Sequence, residues 1–263
     1  MTSLPTVSRR RAFRFLAGAV ACPTCLALIS SAASAAEHGK AVWSYEGDGP
    51  VYWGGTSTSN RVCGVGLQQS PIDLRNAIGA KTGGIEVKYG SIPLRIINNG
   101  HTIEIKCEPG SKIRQNGKDF KLIQFHFHHP SEHVIKGRAY DMEAHFVHAS
   151  DDGVLAVLGV FIAKGAENKF LGPLWENMPT KKGPEISQRS TMISPERLLP
   201  ADRTYYRYLG SLTTPPCSEK VIWSIYQTPV SASNAQIEKF ARIFPMNARP
   251  LQSINRRFLL KSL

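Results

Sequence analysis

Acidic side chains are scarce in this chain. Asp and Glu number 20 against 32 Lys and Arg, for a formal net charge of +12. Four of the surplus charges, Arg9, Arg10, Arg11 and Arg14, fall in the first 35 residues, which hold no acid, so the rest of the chain carries +8. A charge of this sign can mark a nucleic-acid partner. The other marks of one are missing: there is no recognition helix, no aromatic platform interleaved with basic residues, and no basic run in the body longer than a pair such as Lys181-Lys182. The charge is read as solvated surface, with no nucleic-acid partner. Long apolar runs are also lacking. Beyond the N-terminal segment nothing approaches the roughly 20 apolar residues of a membrane span, so no span is expected. Heptads, internal repeats and low-complexity linkers are absent, which argues for one domain.

Cysteine is sparse as well, at five. Cys22 and Cys25 lie in an N-terminal segment with a basic start, an apolar run from Phe15 to Ile29 and a close of small residues from Ser30 to Ala36. That is the layout of a secretory signal, with cleavage after Ala35 through Ala33-Ser34-Ala35. Residues 1–35 are therefore excluded from the fold, and 36–263 form the domain. Arg10-Arg11-Ala12-Phe13 resembles the twin-arginine export motif, with an ordinary signal as the alternative. No Leu stands three residues before either cysteine, which disfavours a lipid anchor. Cys63, Cys107 and Cys217 remain, and in an exported, periplasmic or secreted protein an even subset of these pairs.

Histidine, by contrast, is concentrated. Six of the eight lie between Leu122 and His148. In Phe125-His126-Phe127-His128 the spacing puts both imidazoles on one face of a strand and both phenyl rings on the other. In Glu143-Ala144-His145-Phe146-Val147-His148, Glu143, His145 and Val147 share a face. Two neighbouring strands of this kind would bring His126, His128 and His145 to one point. Three neutral imidazoles with an open fourth position are the ligand set of a catalytic zinc, Zn2+. A lone strand histidine is more often a hydrogen-bonded core or surface residue; two at i and i+2, with a third behind a same-face Glu, shift the balance toward metal. Such ligands need an acceptor on the other ring nitrogen, which Glu143 offers to His145 and Gln124 to His126.

Gln124-Phe125-His126-Phe127-His128, Ser131-Glu132-His133, Glu143-Ala144-His145-Phe146-Val147-His148 and Ser211-Leu212-Thr213-Thr214-Pro215-Pro216-Cys217 together resemble the α-class carbonic anhydrases. Matching segments run from about Trp43 to Arg256. The resemblance implies reversible hydration of carbon dioxide to bicarbonate and a proton, by attack of a zinc-bound hydroxide. It implies that the Thr213 hydroxyl accepts the proton of that hydroxide and donates its own to an ionised Glu132. It implies an apolar substrate wall of Val147, Val157, Leu212 and Trp223, a polar wall of Asn99, Gln124 and Thr214, and a Cys63–Cys217 disulfide that leaves Cys107 free. Asn98-Asn99-Gly100-His101 resembles the family's proton-shuttle segment, which assigns an exposed His101 to carry protons out. His129, His133 and His148 are given structural roles and His38 a solvated one. The positive charge would suit an anionic product such as bicarbonate. Two rivals stand beside this reading. A binding module without metal is disfavoured because all three histidines, Glu132 and Thr213 are present. A zinc hydrolase of esters is compatible, but H-E-x-x-H, the mark of a dedicated peptidase, is absent. The oligomeric state is left open, and a homodimer is compatible.

The fold expected is mainly β with a few short helices, a single domain around a large central, mostly antiparallel but mixed, twisted β-sheet. Residues 36–92 read as an extended arm with short helical turns, packed down by Trp43, Tyr45 and Trp53. Strands are expected at Leu94–Asn99, His101–Lys106, Phe120–His128, Ala139–His148 and Val154–Ala163, the last apolar throughout and hence central. Asn168–Trp175 reads as a short helix. Ser231–Phe244 reads as a longer one, with Ser233 as its cap and Gln236 at the capping-box position.

Overall fold

A computed structural model describes residues 43–47 and 49–263. The expected leader, with Cys22, Cys25 and the neighbouring His38, lies outside the described residues. In chain order the strands are β1 (Ile78–Ala80), β2 (Glu86–Lys88), β3 (Ile92–Asn98), β4 (Ile103–Lys106), β5 (Lys112–Gln115), β6 (Lys118–His128), β7 (Met142–Ala149), β8 (Leu155–Lys164), β9 (Ile186–Ile193), β10 (Tyr205–Ser211), β11 (Glu219–Tyr226), β12 (Val230–Ala232) and β13 (Leu260–Ser262). They join in one sheet whose main order is β1-β13-β10-β11-β8-β7-β6-β4-β3-β9. Most neighbours are antiparallel; β8 pairs in parallel with β11 and β12, and β1 with β13. The sheet is thus mixed, as expected. Among the described residues no helix is long and apolar enough to cross a membrane.

β8 lies between β7 and β11, and from Ala156 to Ile162 it is buried on both faces. A strand with water on neither side has no use for polar alternation, which is why its sequence is apolar throughout. Helices are short: α1 (Val62–Val65), α2 (Leu171–Glu176) and α3 (Asn234–Ala241). Ser233 and Gln236 close a capping box at the start of α3. The expected helix begins three residues too early, because residues 230–232 are instead the short strand β12 along β8. Strands β1 and β2, which lie in the expected arm, and β5 and β9 to β13 are not among the expected strands. β9 is a largely exposed edge strand with little apolar alternation to reveal it.

The strand carrying two of the histidines contains a break in register. Leu122 pairs with His148 but Gln124 pairs with Val147, so Ile123 is bulged outward and exposed. Phe120 and Leu122 before the bulge, and Phe125 and Phe127 after it, all enter the same core. One extra residue thereby switches the even-numbered positions from core to cleft, and Gln124, His126 and His128 emerge on the opposite face. Burying these four side chains is worth about 2 kcal/mol each. A one-residue slip would forfeit on the order of 8 kcal/mol, comparable to the whole net stability of a domain.

The N-terminal arm is packed down through Trp53, Cys63 and Cys217, with Trp43 and Tyr45 packed on them. Cys63 and Cys217 are joined, with their Cα atoms 5.1 Å apart. Closing a loop with a sequence separation of 154 contributes at most about 5 kcal/mol. Cys107 is free and half-buried, and burial, followed by the Glu104 charge, pushes its thiol up to about 12. Mass mapping of the purified protein is therefore expected to recover the 63–217 link. Cys107 should react with iodoacetamide at pH 8 at least ~100-fold more slowly than free cysteine, until the protein is unfolded.

Candidate metal centre

Strands β6 and β7 place His126 directly opposite His145, and His128 opposite Glu143. Each imidazole has one nitrogen already committed. His126 Nδ1 donates to Gln124 Oε1 at 2.8 Å, His128 Nδ1 to the carbonyl oxygen of Asn247 at 2.7 Å, and His145 Nε2 to Glu143 Oε1 at 2.8 Å. Those partners fix the tautomers. They leave Nε2 of His126, Nε2 of His128 and Nδ1 of His145 as bare acceptors, and a ligand atom from each of the three lies within 4.8 Å of those of the other two. His128 Nε2 is buried and has no hydrogen-bond partner. Orphaned ring nitrogens converging on one point are what a tetrahedral, nitrogen-preferring cation such as zinc requires. Burial holds His126 well below the usual histidine range, helped by His128 and His145. Burial also lowers His128. At these two residues the neutral ring, the only form that binds metal, is thus favoured before any ion arrives.

Glu143 is wholly buried. Burial alone would raise its pKa, but His133, His145 and their hydrogen bonds reverse this and hold the carboxyl far below the usual range. Its Oε2 accepts the His133 amide and its Oε1 the His133 Nδ1, both at 2.8 Å. His133 Nε2 in turn accepts from the Tyr208 hydroxyl at 2.7 Å, which contacts Ser70 Oγ at 2.7 Å. The room for this carboxylate comes from Gly159, opposite His145 on β8, where an added Cβ would stand 3.1 Å from Glu143 Oε1.

Glu132 is also buried, but its arrangement differs from expectation. No hydrogen bond joins it to Thr213. Its Oε1 accepts the Arg249 amide at 2.9 Å. Its Oε2 is unpartnered and lies 3.6 Å from His128 Nε2 and 3.8 Å from His145 Nδ1. Thr213 is buried at the turn after β10, beside Thr214, which lines the cleft.

A cavity of about 100 Å³ opens over the histidines, lined by Trp43, Asn99, His101, Glu104, Gln124 and Thr214 among others. Val147, Val157, Leu212 and Trp223 belong to one apolar cluster and are not among the residues lining this cavity, although Trp223 packs 4.8 Å from the His145 ring. His101 is half-buried rather than exposed. Trp43 stacks on it at 3.7 Å between ring centroids and 10° between planes. Burial, then Lys182, lowers its pKa. The turn before it needs Gly100, whose φ is +91°. Asn99 Oδ1 accepts the His101 and Thr102 amides and closes that turn. A larger hollow of about 660 Å³ beside the turn 135–141 contains none of the three clustered histidines.

Sequence reasoning missed Asn247 and Arg249. Asn247 is fully buried; besides holding His128 it accepts the His129 amide and donates to the carbonyls of His101 and Phe127. Its bond to His128 uses a backbone carbonyl, which no residue type encodes. Arg249 is also buried, which nothing in the sequence around it announces; its guanidinium donates to Gln69 Oε1 and to the carbonyls of Ser70 and Cys63.

With this geometry in view, the comparisons with known proteins agree. A family model for the eukaryotic-type carbonic anhydrases matches residues 48–262. A carbonic anhydrase of Nostoc sp. is 41% identical over 227 residues, 84% of this chain and 86% of that protein. The α-carbonic anhydrase of Thermovibrio ammonificans, solved with the inhibitor sulfanilamide, superposes with a TM-score of 0.82 at 44% identity, over 84% of this chain and 100% of that one. For the α-carbonic anhydrase of Photobacterium profundum the TM-score is 0.79 at 42% identity, over 83% and 100%. The chain belongs to the α-type carbonic anhydrase family, lyases that hydrate carbon dioxide.

His148 faces the core, away from the cleft. Its Nδ1 donates to the Ala156 carbonyl at 3.1 Å, and its Nε2 accepts from the Tyr89 hydroxyl at 2.6 Å. Burial lowers its pKa from 6.5 to about 4. Between those values the unfolded chain binds a proton that the folded chain refuses, so this contribution to stability is lost as pH falls from 6.5 to 4. It amounts to about 3 kcal/mol. In urea melts, the stability gap between wild type and His148→Gln should shrink by about that much between pH 7 and pH 4. A gap constant with pH would refute the assignment.

Proposed function

We propose that this protein hydrates carbon dioxide reversibly as a zinc enzyme, with His126, His128 and His145 holding the metal. The observation that carries the reading is the convergence of three unengaged ring nitrogens, each on an imidazole oriented from its other side. Zinc bound there supplies a nucleophile at neutral pH, because coordination lowers the pKa of water to about 7, the accepted figure for carbonic anhydrase itself.

The chain's own residues do the rest. Gln124, Asn247 and Glu143 orient the ligands and set their basicity. Val147, Val157, Leu212 and Trp223 form an apolar wall suited to a small uncharged substrate, while Asn99, Gln124 and Thr214 supply the polar side. Thr213 and Glu132, the latter anchored by the Arg249 amide, would orient the proton of the nucleophile, which requires Glu132 Oε2 to turn from the two histidines toward the Thr213 hydroxyl. His101, at the cleft lining and half-open to solvent, takes the released proton outward. The reading as an exported protein, periplasmic or secreted and cleaved near Ala35, is supported by the disulfide, a bond that persists in oxidising compartments.

Purified mature protein should hold one zinc per chain by metal analysis, and His126→Ala should lose most of both metal and activity. Full retention of zinc in a His126→Ala, His128→Ala double variant would sink the ligand assignment. Proton transfer is tested separately. Loss of a proton from a group of pKa about 7 to water alone is limited to roughly 10³ s⁻¹, so faster turnover needs a relay. In dilute buffer His101→Ala should lower kcat by one to two orders of magnitude, leave kcat/KM nearly unchanged, and recover with added imidazole. A variant that matches wild type in dilute buffer would assign the proton to another group.

A further inference from the structure

The chain as a whole is basic, so its far field draws anions inward. The cleft over the three histidines has the opposite local charge. Among the residues lining it Glu104 alone bears a carboxylate, and no lysine or arginine is present; the other carboxylate near the histidines, Glu132, is buried and anchored by the Arg249 amide. Glu104 stands on β4 directly opposite His126 of β6. Its neighbours Ile103 and Ile105 are buried in the core, so strand alternation puts Glu104 on the histidine face. It is half-buried. Its one hydrogen bond among the described residues is a long one, 3.4 Å from Asn99 Nδ2 to Oε2. No described ion pair includes it, and Lys106, two positions along the strand, is instead 3.2 Å from Glu185.

We infer that Glu104 is a specificity-determining residue: its unpaired negative charge makes the cleft discriminate against anions bound beside the three histidines. Carbon dioxide carries no net charge and enters without penalty. Bicarbonate and other small anions meet a like charge across a narrow, poorly screened cleft, where Coulomb repulsion is stronger than in water. The product is thus held weakly, and halides drawn in by the basic surface compete less. The inference rests on the zinc reading above and adds to it the sign of the charge the site tolerates.

Glu104→Gln keeps the shape and the contact to Asn99 and removes the charge. Glu108→Gln removes the same charge from an exposed position outside the cleft. Zinc content is measured first. Azide binding to each zinc-loaded protein is then followed by calorimetry at pH 8 and fixed ionic strength, alongside KM for carbon dioxide and for bicarbonate. In Glu104→Gln the azide Kd and the bicarbonate KM should each fall about three- to tenfold, and the carbon dioxide KM should change less than twofold. Glu108→Gln should match wild type, and Glu104→Ala, which also drops the Asn99 contact, should move in the same direction as Glu104→Gln. Azide affinity in Glu104→Gln within twofold of wild type, with zinc intact, overturns this inference alone, as does an equal shift in Glu108→Gln. A wild type that holds no zinc or binds no azide overturns the metal reading and this inference with it.

Discussion

Everything in the cleft depends on the pairing register of β6 and β7. Only with His126 opposite His145 do three imidazoles from two strands meet at a point. The register is held from the other side of the sheet, by Phe120, Leu122, Phe125 and Phe127 in the core. The outward bulge at Ile123 reconciles the two demands, since it lets four core side chains and three cleft side chains occupy one strand whose simple alternation could not seat both. The chemistry on one face is thus specified by apolar packing on the other.

A second dependence runs through buried charge. Glu143 sits among two imidazoles and a backbone amide with almost no water. Removing one partner from such a cluster costs about 3–5 kcal/mol, because the remaining charge is left uncompensated. The carboxylate therefore couples the orientation of His145 to His133, and through Tyr208 to Ser70 within the N-terminal arm. Cys63 and Cys217 close the same region, where Arg249 bridges the Cys63 carbonyl and, through its amide, Glu132. The arm is part of the apparatus that holds the site still.

Much of this was legible in the sequence, and the reasons are local. Alternation assigns His126 and His128 to one face, and Glu143, His145 and Val147 to another, because a strand admits only two directions for its side chains. The capping box of α3 is a short-range pattern and was equally readable. What could not be read depends on partners distant along the chain or on backbone atoms. Asn247 reaches His128 through its carbonyl, Trp43 covers His101 from the arm, and Ile123 bulges without any glycine or proline to announce it. The edge strand β9 escaped notice because a largely exposed strand needs little apolar patterning. The expected Thr213–Glu132 hydrogen bond came from family resemblance rather than local physics, and it is there that the geometry differs.

The last stretch of the chain bears more on the centre than its position suggests. Asn247 and Arg249 lie within the final 17 residues, and β13, nearly the last residues of all, fills the gap between β1 and β10. A ribosome has therefore translated the codons of all three clustered histidines well before it supplies the groups that orient His128 and Glu132. A stop codon shortly before Asn247 would yield a polypeptide with the full histidine triad but without the scaffold that aims it. In this gene, a late nonsense mutation would disturb the centre without touching any of its three histidines.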